Sequence, residues 1–136
     1  MTGFRFLCAA ALLGAAGLVV VAAAGPDEYE MATYQVGFYR KGPNWMPGST
    51  PELQKLQSEH LAHIGKMAET GKLIIAGPFA DGGDLRGMLI FRVDTPEEAK
   101  ALAEQDPAVK AGRLVLEWHP WFAAKNITVT AKVPQP

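Results

Sequence analysis

The chain has 136 residues, with 13 Lys+Arg against 14 Asp+Glu and a formal net charge of −1. That is one ordinary domain, and the absence of any Lys/Arg run argues against nucleic acid as a partner. With 49% apolar and 20% charged residues the composition is globular, which excludes wholesale disorder.

The first element is not part of the fold. From Phe6 to Ala24 there is no charge, Arg5 closes a short basic start, and Ala22 and Ala24 are the small residues a signal peptidase accepts. Residues 1–24 are therefore expected to be an export signal cleaved after Ala24, giving a periplasmic or secreted protein with no further membrane contact. The alternative is an uncleaved anchor, since about 19 apolar residues just span a bilayer. Cleavage removes Cys8, the sole cysteine, so the mature chain has no disulfide, thiol nucleophile or thiolate metal site. Cys8 follows Leu7 ahead of the apolar run, which is not a lipoprotein site. A mature chain of about 110 residues buries roughly two thirds of its unfolded surface, enough for a core without staples.

Residues 25–32 read as a linker, and 33–122 as the domain. Tyr34, Val36 and Phe38 alternate with Thr33, Gln35, Gly37 and Tyr39, which predicts a strand. Lys41 to Ser49, with Gly42, Pro43, Pro47 and Gly48 around Trp45 and Met46, is a loop. A helix starts at Ser49 or Thr50, with Pro51 in its first turn and Ser49-x-x-Glu52 at capping-box spacing. Its apolar stripe is Leu53, Leu56, Leu61, Ile64, Met67 and Ala68, and Gly71 stops it. Leu73 to Ala76 is a short apolar strand, Asp81 to Asp84 a turn too short to be a calcium loop, and Met88 to Val93 a third strand. Thr95 and Pro96 open a second helix running to about Gln105. Asp106-Pro107 begins a short turn ended by Gly112, and Leu114 to Trp118 is the fourth strand. Residues 123–136 form a C-terminal extension in which Ile127 to Val133 could add a fifth strand; Asn126-Ile127-Thr128 matches a glycosylation acceptor.

The order β-α-β-β-α-β is the split, ferredoxin-like α+β pattern. Two helices cover only one face of such a sheet, yet the strands at 73–76, 88–93 and 114–118 are apolar on both. A second copy of the same sheet is the simplest lid, so a homodimeric α+β barrel is expected.

Few residues can carry chemistry. At about 100° per residue, His60 falls between Leu56 and Ile64, in the middle of the apolar stripe, His63 at its edge and Glu59 on the solvent side. A titratable ring on an apolar face costs desolvation and needs a partner. It is read either as a core histidine bonded to a carbonyl or as a general acid–base. The His60-x-x-His63 spacing is not the HExxH arrangement and lacks a third ligand, so no metal is expected. Asp106 has two readings: N-cap of the turn that follows, or a carboxylate that orients His60. Trp45 either lids a pocket or packs its loop, and His119 is a wet strand-end residue or a substrate contact. Trp45, His63 and His119 are the candidate substrate-binding residues.

Residues 60–79, from His60 through Gly71-Lys72-Leu73 to Gly77-Pro78-Phe79, together with Asp106-Pro107 followed by Ala111-Gly112, resemble the two signatures of the YciI-like (YCII-related) domain family. The resemblance covers residues 33–122. It implies a dimeric ferredoxin-like barrel and places the family's His–Asp pair on His60 and Asp106. One branch of that family eliminates chloride from chlorinated hydroquinones, with the His as base. The export signal, the Trp45 loop and the C-terminal extension depart from its short members. The expected function is thus a small cofactor-independent lyase acting on a small, aromatic-type molecule, with His60 moving a proton and Asp106 orienting it. The alternative is a non-catalytic exported dimer that binds a small ligand.

Overall fold

The computed structural model describes residues 30–129. The export signal expected over 1–24, most of the linker and the end of the C-terminal extension lie outside them. Among the described residues no helix is long and apolar enough to cross a membrane.

In chain order the elements are β1 (Met31–Lys41), α1 (Pro51–Glu69), β2 (Leu73–Pro78), β3 (Leu85–Phe91), α2 (Pro96–Ala103), α3 (Pro107–Lys110) and β4 (Leu114–Ala124). The four strands make one antiparallel sheet in the order β2-β3-β1-β4, the α+β, ferredoxin-like arrangement the sequence predicts. Both long helices begin on threonine caps. Thr50 Oγ1 accepts from the Leu53 amide and Thr95 Oγ1 from the Glu98 amide, each at 3.3 Å, ahead of Pro51 and Pro96. Thr50, not Ser49, is therefore the cap of α1.

The outer ends differ from the sequence reading. β1 starts at Met31 and β4 continues to Ala124, because the two pair without a break from Met31↔Ala124 to Lys41↔Leu114. The backbone ladder sets these ends, and an apolar run does not reveal it. After β4, residues 125–129 form no strand. Asn126 turns the chain with φ 69°, Arg92 donates to the Ile127 carbonyl at 2.7 Å, and Ile127 packs against the cluster of Tyr34, Val36 and Ile90. The rest of the expected fifth strand lies outside the described residues.

Strand alternation divides the core into two. Tyr39, Leu73, Leu89, Phe91 and Leu114 face α1–α3 and pack with Met67, Ala99, Ala103 and Ala108. Tyr34, Val36 and Ile90 face the other way. Gly37 is the point where β1 must be bare on the helix side: a Cβ there would sit 3.0 Å from the Trp118 ring. On α1, His60 and Met67 are the buried positions, whereas Leu61 is 57% exposed. Leu61 lies at the edge of the stripe, over a cavity that the helix leaves open.

Candidate functional site

Three elements bring one carboxylate, one imidazole and one phenol together. Asp106 stands between α2 and α3 and is 0% exposed; His60, in the middle of α1, is 8% exposed. His60 Nδ1 lies 2.6 Å from Asp106 Oδ2, and Tyr39 of β1 donates its hydroxyl to the same oxygen at 2.7 Å. The Tyr39 ring meets His60 edge-on, with centroids 5.3 Å apart. Asp106 Oδ1 accepts the Ala108 amide at 2.9 Å and caps α3. One oxygen of Asp106 therefore caps α3 and the other meets the His60 ring.

The electrostatics follow from these contacts. Burial raises the Asp106 carboxyl, but the hydrogen bonds from His60, Tyr39 and Ala108 outweigh it and hold the group below the ordinary carboxylate range. Burial, the charge on Asp106 and the bond to it push the Tyr39 hydroxyl far up, so it remains a protonated donor. An ionised carboxylate only accepts, so Nδ1 of His60 carries the proton and Nε2 is left with its lone pair while the ring is neutral.

His60 lines a cavity of about 260 Å³ together with Tyr39, Trp45, Leu56, Ile64, Arg86 and Arg113. Asp106 does not line it and stands behind the ring. Trp45 is placed by its loop, which is clamped onto the turn between α3 and β4: Gly42 donates to Arg113 O at 2.8 Å, Asn44 to Gly112 O at 2.9 Å, and Asn44 Nδ2 to Ala111 O at 2.9 Å. The approach is so close that a Cβ on Gly42 would lie 2.3 Å from the Gly112 oxygen. Arg113, Arg86 and Lys41 stand over the Trp45 ring at 4.2, 5.0 and 5.6 Å.

The other two candidates are elsewhere. His63 Nε2 is tied to the Leu102 carbonyl at 2.9 Å, linking α1 to α2 away from the cavity. His119 projects from β4 on the sheet face opposite the helices, where it pairs with Glu117 and meets Phe38 edge-on. The structure thus joins His60, Asp106 and Trp45 at one site and leaves His63 and His119 outside it. The His60-x-x-His63 rings turn to separate partners, and among the described residues no three His, Cys, Asp or Glu side chains converge. The sequence reading missed Tyr39, Arg86 and Arg113. For Tyr39 a signal existed, since it shares the helix-side face of β1 with Gly37 and a buried hydroxyl needs a partner. For the arginines none did.

A ferredoxin-like domain with a carboxylate-held histidine at a small cleft is the class that fold and site define. Residues 42–119 match the YCII-related domain, and the chain belongs to that family. Among solved structures it is similar to the 5-chloro-2-hydroxyhydroquinone dehydrochlorinase TftG from Burkholderia phenoliruptrix AC1100, in complex with 2,5-dihydroxybenzoquinone. That likeness has 26% identity and a TM-score of 0.47, covering 66% of this chain and 93% of that one. No curated protein matches the chain.

Proposed function

We propose that the protein is a small lyase in which His60 is the general base. Nε2 takes a proton from a carbon of a small molecule in the cavity, the C–H electrons form a double bond, and the leaving group departs with its own bonding pair. Water then carries the proton from His60. Asp106 fixes the ring so that Nε2 is the basic nitrogen, and stabilises the imidazolium once it forms. The observation that carries this reading is the 2.6 Å contact from Nδ1 to a fully buried carboxylate, on a ring that lines the cavity. A core histidine needs only a carbonyl partner, as His63 shows with Leu102.

The test is a screen of small carbon acids bearing β-leaving groups, with His60→Ala as the matched control. Turnover should fall by about 10²–10⁴-fold in His60→Ala. Asp106→Asn should impair it strongly, and the double variant should be little worse than either single one, because the pair acts as a unit. Turnover that survives in His60→Ala defeats the reading.

We further propose that the chain works as a homodimer paired through the sheet face opposite the helices. Val115 and Trp121 point from that face with 40% and 42% exposure, beside the cluster of Tyr34, Val36 and Ile90. Light scattering should give twice the mass of one chain, and Trp121→Glu should lower it to one.

A further inference from the structure

We propose that the cavity takes an organic anion, with its charged group at Arg86 and Arg113 and its apolar body toward His60. This rests on the cavity being the substrate site and adds the charge class of what enters it. Among the described residues two guanidinium groups line the cavity and no carboxylate does. Arg86 and Arg113 are half-buried, and among the described residues neither forms an ion pair. Each is held by one backbone carbonyl, Gly83 at 3.1 Å and Met46 at 2.8 Å. Lys41 brings a third positive charge to the same indole.

Arg40, on the other face, is paired with acids, bracketed by Asp84 and Glu117. Arg92, which like the cavity pair meets only a backbone carbonyl, is exposed. Three cations gathered on one ring without an acid repel each other, and the faces of Trp45 offset only part of that. Their remaining N–H donors are suited to a carboxylate or another oxyanion. The chain as a whole is not basic, with a net charge of −1, so the positive spot belongs to this cleft. Arg86 comes from β3 and Arg113 from the turn before β4. Their convergence is made by the fold and by the Gly42 clamp that brings Trp45 to both of them.

Matched carboxylates and carboxamides test this on the intact protein: benzoate with benzamide, and 1-naphthoate with 1-naphthamide, followed by NMR of the Trp45 indole N–H and the His60 ring. The carboxylates should bind at least about tenfold tighter than the amides and lose affinity as salt rises. Arg86→Gln and Arg113→Gln should each weaken carboxylate binding about tenfold and leave amide binding unchanged. If Arg113→Gln disturbs the loop it holds through Met46, Arg86→Gln and the charge-keeping Arg86→Lys carry the comparison. Amides that bind as well as carboxylates overturn the proposal. So do Gln variants that bind carboxylates normally, or carboxylates that leave the His60 ring signals unmoved. Anion binding without any His60-dependent turnover would sink the lyase reading and leave this one standing. His60-dependent turnover of a neutral substrate would do the reverse.

Discussion

Among the described residues the same chemical pair occurs twice. His60 with Asp106 and His119 with Glu117 are each an imidazole nitrogen on a carboxylate oxygen, at 2.6 and 2.8 Å. They differ in solvent. The first pair has side chains 10% and 0% exposed, the second 53% and 42%. In the first, water cannot replace a lost partner, so each group depends on the others. In the second, water can, and Arg40 already shares the Glu117 carboxylate. Distance does not separate the buried pair from the surface contact; desolvation does.

The comparison can be broken by deleting each acid. Asp106→Ala leaves a buried phenol and a buried imidazole unpaired and uncaps α3, and should cost about 3–5 kcal/mol of unfolding free energy. Glu117→Ala should leave the denaturation midpoint unmoved. Equal losses in chemical denaturation would remove the distinction drawn here. A smaller change sharpens it: Tyr39→Phe deletes one donor to Asp106 and should cost about 1.5–3 kcal/mol.

The pH dependence follows from the lowered Asp106 carboxyl. A group whose folded value lies below its unfolded value stabilises the fold at pH above the unfolded value. It loses that contribution as pH falls through the folded one. Asp106 should therefore add stability at neutral pH that disappears below about pH 4. Asp106→Asn should lack that acid-dependent component. Tyr39→Phe, lacking one of the bonds that hold the carboxyl down, should move it to higher pH. Thermal melts between pH 2 and pH 7 measure both, and identical acid limbs in all three proteins would contradict the assignment.

Much of this was legible before any coordinates. The chain order of strands and helices follows from alternation and from the Thr-Pro pairs at Thr50-Pro51 and Thr95-Pro96, which are local signals. His60 stood out because helical periodicity places a polar ring among Leu56, Ile64 and Met67. Asp106 was visible as a cap, and its cap geometry leaves one oxygen free for a distant partner. What was not legible lay across the sheet. Periodicity says which face Tyr39, Arg86 and Arg113 occupy but not what stands opposite. That is decided by strand order, by the register of β1 against β3 and β4, and by the path of the Trp45 loop. The extra length of β1 and β4 was hidden for the same reason, since a ladder is satisfied by pairing and not by side-chain type.

The two oxygens of Asp106 work over very different spans of chain. Oδ1 reaches two residues ahead, to the Ala108 amide, while Oδ2 reaches 46 and 67 residues back, to His60 and Tyr39. The four-residue α3 is too short to persist alone, so its cap and the dyad should appear and vanish together. Amide hydrogen exchange at Ala108 would then act as a reporter for a histidine on another helix, its protection marking the fraction of molecules in which the pair is formed. A local opening of a few residues, far below the energy of global unfolding, would suffice to part Asp106 from His60 and Tyr39.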